Sequence, residues 1–219
     1  MKKNYLIILL LSTVFKFSIG QELHPPLDFR LLLSGTFGEL RSNHFHTGID
    51  MKTQGVVGQK VYAINDGYVS RIKVSSFGYG KALYITHPNG LTSVYAHLQK
   101  FNKEIEKYVK TSQYKKESFE IELFPNKDSI NVKKGDVIAL SGNSGGSFGA
   151  HLHFEIRETK SQQPINPLRF NFNIKDEVKP IIKEIKIYDF ENNEDKIYKC
   201  IQSEEGYIIK EYPIVGNKI

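Results

Sequence analysis

A mainly β fold, an antiparallel sheet or distorted sandwich with one short inserted helix, is predicted by three features of the sequence. From residue 33 to residue 100, short β-prone stretches alternate with clusters of Gly, Asn, Asp and Pro, and helical periodicity is nearly absent. Pro88-Asn89-Gly90 divides two such stretches, and Asn-Gly readily accepts the positive φ angles that close a hairpin. Only residues 101–116 repeat apolar side chains at helical spacing. With 219 residues, 40% of them hydrophobic, the chain can bury the core of one good-sized domain and an appendage.

The chain opens with Met1-Lys2-Lys3, an apolar run over residues 5–14, and small residues at Ser18 and Gly20, the layout of an export signal cleaved before Gln21. The apolar run is shorter than the roughly 20 helical residues that cross a bilayer, and Lys16 interrupts the stretch, so no stable membrane span is expected after cleavage. No cysteine follows Gly20, which argues against a lipid anchor at that junction. Residues 21–32, with Pro25-Pro26, read as an extended lead-in. Residues 61–64 and 68–74 flank Asn65-Asp66-Gly67 and are expected to pair as a hairpin; residues 82–87 and 91–97 form the stronger hairpin around Pro88-Asn89-Gly90.

Phe101, Ile105, Tyr108 and Val109 give residues 101–116 an apolar face, so a short amphipathic helix is expected over one sheet edge with its lysines solvated. Residues 118–123 alternate like a strand, and residues 137–141 and 151–157 bracket a Gly/Ser-rich loop. Past Asn166-Pro167-Leu168 the texture changes, and residues 180–188 and 207–212 look like strands of a small C-terminal β extension or of an incomplete module. The expected organisation is therefore a signal at 1–20, a lead-in at 21–32, a main domain at 33–172 with an insert at 101–132, and an extension at 173–219.

The formal charge of +6 falls to +3 when Lys2, Lys3 and Lys16 leave with the signal. No basic stripe interleaved with aromatics is present, so nucleic acid is not an expected partner, whereas a mildly basic surface suits an anionic polymer such as a cell wall. Cys200 is the single cysteine; it cannot form an intrachain disulfide and reads as a small, half-buried apolar residue.

Chemistry gathers in two clusters. In His151-Leu152-His153, at the end of the Gly/Ser run, the period of two along a strand turns both imidazoles to one face. In His46-Thr47-Gly48-Ile49-Asp50 the same period aligns His46, Gly48 and Asp50, with Gly48 leaving room between imidazole and carboxylate. One histidine of the first cluster would complete a set of two nitrogens and one oxygen. Catalytic zinc takes three protein ligands and keeps a fourth position for water, whereas structural zinc usually takes four and favours cysteine. The run 142–149 lacks a Gly-Lys-Ser/Thr ending and leads into a strand, which excludes a phosphate loop. Arg41 is expected at a substrate carboxylate or in an ordinary salt bridge, His44 at the rim, His87 as a hydrogen-bonded turn residue and His24 on the surface.

His46-x-x-x-Asp50, Tyr95-Ala96-His97-Leu98 and Gly149-Ala150-His151-Leu152-His153-Phe154-Glu155 occur in one order, accompanied by Ala63-Ile64-Asn65-Asp66-Gly67-Tyr68-Val69, Ile85-Thr86-His87-Pro88-Asn89-Gly90 and Lys134-Gly135-Asp136. From about residue 33 to 168 the chain resembles the lysostaphin-type zinc endopeptidases of bacterial cell walls, which implies their duplicated hybrid-motif β fold. The resemblance implies that His46, Asp50 and His153 bind one Zn2+ per chain, and that His97 and His151 face the attacking water and the scissile carbonyl. Of that pair, His151 is expected as general base, with His97 orienting water or stabilising the tetrahedral intermediate. Glu155 is expected to orient a ligand rather than to act as the base. The implied protein is an exported zinc metalloendopeptidase of the periplasm or cell envelope that acts on peptidoglycan stem peptides and their cross-links. The alternative is a catalytically silent wall-binding or hydrolase-activating protein on the same fold, a reading that the presence of all five residues disfavours.

Overall fold

A computed structural model of the chain describes residues 22–127, 129–172, 174, 181–192, 194–204 and 206–209; the expected export signal lies outside the described residues. The chain divides into two compact units, Met1–Lys175 and Asp176–Ile219. The first contains strands Leu33–Gly35 (β1), Ile49–Lys52 (β2), Lys60–Tyr62 (β3), Gly67–Val74 (β4), Lys81–Thr86 (β5), Leu91–Ala96 (β6) and Lys100–Phe101 (β7). The helix Lys103–Lys116 (α1) follows, then Ile121–Leu123 (β8), Asn131–Val132 (β9), Val137–Leu140 (β10), His151–Glu158 (β11) and Pro164–Ile165 (β12). The second unit holds Glu184–Asp189 (β13), Glu194–Ser203 (β14) and Gly206–Ile209 (β15) as an antiparallel meander, with Cys200 half-buried in β14.

The large sheet of the first unit runs β1-β2-β11-β6-β5-β4-β8, with β12 on β11 and β9 on β4; a smaller sheet runs β3-β10-β7. Every pairing is antiparallel. Alternation along β11 sends Leu152, Phe154 and Ile156, all fully buried, into the main core, where Ile49, Met51, Ile85 and Tyr95 join them. His151, His153 and Glu155 therefore share the opposite face, beside a smaller apolar cluster of Ala82, Tyr84, Val94 and Ala96.

The β5–β6 hairpin forms as expected. The Gly90 N–H donates to the His87 carbonyl across Pro88 and Asn89, and Gly90 alone of the turn takes positive φ, at 81°. The hairpin expected around Asn65-Asp66-Gly67 does not form: β3 pairs with β10 in the smaller sheet, whereas β4 pairs with β5, β8 and β9 in the larger. That turn carries the chain from one sheet to the other. The Asp66 carboxylate accepts the Lys134 N–H, tying the crossing to the loop before β10.

Helix α1 starts two residues later than its apolar pattern, because Phe101 belongs to β7 and the Asn102 side chain caps the helix by accepting the Ile105 N–H at 3.0 Å. Glu104 and Glu106 lie in the first turn and Lys115 and Lys116 in the last, matching the helix dipole, and Glu117 ends the helix in a left-handed conformation. Ile105 and Val109 are buried, while Tyr108 stays at the margin with 37% exposure. No helix among the described residues is long and apolar enough to cross a membrane.

The lead-in is stitched to this framework. Leu27 and Leu31 are buried in the core, the His24 N–H donates to the Ile64 carbonyl, and the Tyr62 N–H donates to the Pro26 carbonyl.

His87 is buried beside the hairpin turn, with Nδ1 on the Asp66 carbonyl and Nε2 on Ser93 Oγ, both at 2.8 Å. Burial lowers its pKa below the ordinary 6.5, against the raising effect of the Asp66 bond. The unfolded chain therefore takes up this proton first, so the stability His87 contributes is complete above about pH 6.5 and drains as pH falls below it. Urea unfolding of the metal-free protein between about pH 7.5 and about pH 5 is expected to show a smaller loss of stability in His87→Gln than in the unsubstituted chain.

Candidate metal centre and its cleft

The register of β11 builds the site. His153 stands opposite Asp50 on β2 and opposite Ala96 on β6, and directly opposed residues of an antiparallel pair point to the same face. His46 lies before β2 begins, so it reaches the group from an irregular segment rather than through strand alternation. Gly48 also serves a different purpose from spacing the two ligands: a Cβ there would meet the Phe154 carbonyl oxygen at 2.3 Å, so its bare backbone lets β11 close against this segment.

His46 Nε2, Asp50 Oδ1 and His153 Nδ1 lie 2.9–3.1 Å from one another, a group that could hold a metal ion. The outer nitrogens fix the tautomers. His46 Nδ1 donates at 2.8 Å to the Thr36 carbonyl, which can only accept, so Nε2 presents a lone pair. His153 Nε2 donates at 2.8 Å to Glu155 Oε1, so Nδ1 does the same. Burial would raise the Asp50 pKa, but its contacts with His153 and His46 outweigh it, and the carboxylate is ionised. Three acceptors thus point at one another, an arrangement that a cation between them satisfies.

Arg41 Nη2 bonds Asp50 Oδ2 at 2.8 Å and Glu39 at 3.3 Å, so Arg41 acts on the carboxylate of this group. Glu155 is fully buried and does not line the cleft. Its carboxylate accepts from His153, from Thr47 Oγ1 at 2.7 Å, from Arg157 Nε at 2.6 Å and from the Tyr79 hydroxyl. Burial alone would raise its pKa, yet the bonds from His153 and Arg157 hold it down at about 2. This geometry lets Glu155 orient His153 and keeps it away from a water in the cleft.

His97 and His151 adjoin the group, their ring centroids 4.7 Å apart, with His151 Nε2 3.6 Å from Asp50 Oδ1. His97 Nδ1 donates to the Ser144 carbonyl and His151 Nδ1 to the Gly149 carbonyl, both at 2.8 Å, so each leaves Nε2 bare. The His97 backbone sits at φ 57°, which few residues other than glycine adopt, and is held there by its N–H on the Tyr79 carbonyl. Burial brings the His97 pKa down to about 4, so the ring is neutral near pH 7.

All five residues open on a cleft of about 810 Å3, also lined by Phe29, Arg30, Lys52, Tyr79 and the glycine-rich segment 146–149. His44 lies on its lining, as a rim residue would, whereas His24 and His87 are elsewhere. No described residue of the insert 101–132 lines it; β8 of that insert pairs with β4 at the far edge of the large sheet. Tyr79, Thr36 and Ser144 escaped the sequence analysis. Two of them act through backbone carbonyls, which leave no residue-type signature, and only Thr47, inside the His46 motif, was within reach of motif reading.

A β domain with a two-histidine, one-carboxylate donor group open to a cleft is the class these features define. The chain belongs to peptidase family M23, whose family model matches residues 44–114 and 124–167, just over half the sequence. Over 129 residues it is 33% identical to the DD-carboxypeptidase/endopeptidase Mpg of Neisseria meningitidis, covering 59% of this chain and 23% of that protein. Over 141 residues it is 29% identical to the peptidoglycan DD-endopeptidase ShyC of Vibrio cholerae, covering 61% and 26%. The match thus spans about a quarter of the length of these relatives. The crystal structure of a zinc-containing peptidase from Vibrio cholerae shares the fold, with a TM-score of 0.50 and 23% identity over 71% of this chain and 40% of that one.

Replacing Glu155 with Ala strips His153 Nε2 of its acceptor and leaves Arg157 without its partner. The affinity of the chain for an added divalent ion, measured by calorimetric titration, is expected to fall by about 10- to 100-fold.

Proposed function

We propose that the protein is a secreted zinc metalloendopeptidase that hydrolyses peptide cross-links of bacterial peptidoglycan. The observation that carries this reading is the convergence of three lone pairs, from His46, Asp50 and His153, beside two further bare imidazole nitrogens in an open cleft. Family membership and peptidase-named relatives support the chemistry, and the peptidoglycan-directed name of the Vibrio cholerae relative supports the substrate. The export signal read at residues 1–20 agrees with a substrate outside the cytoplasm.

His46 Nε2, Asp50 Oδ1 and His153 Nδ1 would hold one zinc ion, with Thr36 and Glu155 keeping the two imidazoles in the required tautomers. When bound, zinc lowers the pKa of a water ligand to about 7 and polarises the scissile carbonyl. His151 accepts the proton of the attacking water at Nε2 as the oxygen–carbon bond forms, then delivers it to the leaving amine as the carbon–nitrogen bond breaks. His97, neutral and with its only N–H committed to Ser144, can solely accept at Nε2, which suits it to orienting the water.

Incubating purified peptidoglycan with the protein is expected to release peptide-cleaved fragments detectable by mass spectrometry, and a chelator is expected to abolish them. No chelator-sensitive product from any wall type would instead favour a silent wall-binding protein. His151→Ala is expected to retain one zinc per chain on metal analysis while hydrolysis falls by about 100- to 10,000-fold; loss of the metal would make His151 a ligand.

A further inference from the structure

We infer that Arg30 and Lys52 form a cationic subsite in the cleft that takes a free carboxylate of an anionic peptide, next to the bond that is cut. This rests on the peptidase reading above and names the substrate class it prefers. Lys52 is the direct cross-strand partner of His151 and follows Asp50 by two residues, so it shares their face of the sheet. Arg30 lines the same cleft from the lead-in, whose course is set by buried Leu27 and Leu31 and by the Lys52 N–H donating at 2.8 Å to the Leu32 carbonyl.

Both side chains are exposed, and among the described residues neither has an ion pair or a side-chain hydrogen bond. Arg41, a third cation on the lining, is by contrast committed to Asp50 and Glu39. Among the described residues Asp50 is the sole carboxylate lining the cleft, and residues 146–150 contribute no charge. Two uncompensated cations therefore open on the cleft that holds the proposed base, Lys52 directly across the strand pair from it. A peptide with a free carboxylate near the scissile bond gains charge-assisted hydrogen bonds there, whereas a neutral glycine-only peptide gains none. Arg30 also lies ahead of the family-matched residues 44–167, so this half of the subsite belongs to the chain's own lead-in.

The test uses two synthetic peptides identical except that the carboxylate beside the scissile bond is a carboxamide in one. The zinc-loaded protein is expected to show a KM about threefold to tenfold lower for the carboxylate peptide per cation, with kcat little changed, and added salt is expected to shrink the difference. The double variant Arg30→Gln, Lys52→Gln is expected to treat both peptides alike. Indifference of the unsubstituted protein, or a preference that survives in the double variant, overturns the subsite. Fluorescence anisotropy of the labelled peptides with metal-free protein reads the same preference without turnover. If neither peptide is cut but the carboxylate form binds better, the peptidase reading fails and the subsite stands; absence of preferential binding overturns the subsite.

Discussion

The structure depends on the register of β11 between its two neighbours. His153 opposite Asp50, and two residues along His151 opposite Lys52, put four polar side chains on one face of a sheet whose other face is core. Side chains alternate with a period of two, so a slip of one residue would bury His151 and His153 and expose Leu152, Phe154 and Ile156. Each of those three fully buried side chains contributes about 1.5–3 kcal/mol, so the apolar face holds the polar face in place. Gly48 makes this possible from the β2 side, since any side chain there would strike the β11 backbone. The candidate metal group is held in place by packing on the other side of the strand.

Given that frame, the four inner histidines of the cleft, His46, His97, His151 and His153, are differentiated by what their outer nitrogens touch. His46, His97 and His151 each give an N–H to a backbone carbonyl, and His153 gives one to a buried carboxylate. All four then present a bare nitrogen inward, which is the protonation state that both a metal ligand and a base require. Under the proposed function their roles separate by position. His46 and His153 lie within 3.1 Å of Asp50 Oδ1, whereas His151 stays 3.6 Å away. The carboxylate partner of His153 is itself saturated by Arg157, Thr47 and Tyr79, so it has little capacity left to serve as a base.

Much of this was legible in the sequence, and the failures have physical reasons. The alternation of β11, the β5–β6 hairpin and the helix could be read because periodicity and Asn-Gly turn chemistry are local properties. The separation of β3 from β4 could not, because Asn65-Asp66-Gly67 serves equally well to fold a strand back or to pass it to another sheet; the choice lies in the distant pairing of β3 with β10. Strand alternation predicted that His46 faces Asp50, and the two do meet, but from an irregular segment where the Thr36 carbonyl anchors the His46 ring. Convergent side chains can be inferred from spacing only where the backbone is regular. Tyr79 was invisible for a related reason: it reaches Glu155 across 76 residues, and nothing local marks that contact.

The two sides of the cleft are built from parts of unequal rigidity, and this bears on how chemistry and selectivity divide. The floor, comprising Asp50, His151 and His153, sits on strands locked by the main core and falls inside the family-matched residues. The wall carrying Phe29 and Arg30 precedes that match and is fastened by Leu27, Leu31 and a few backbone hydrogen bonds from His24 to Leu32. A change in the floor disturbs register and core together, so it alters metal geometry at a cost in stability. A change at the exposed Arg30 touches neither. Under the subsite inferred above, substrate preference can therefore shift through the lead-in while the donor group stays as it is, which is the physical basis for separating the class of reaction from the choice of peptide.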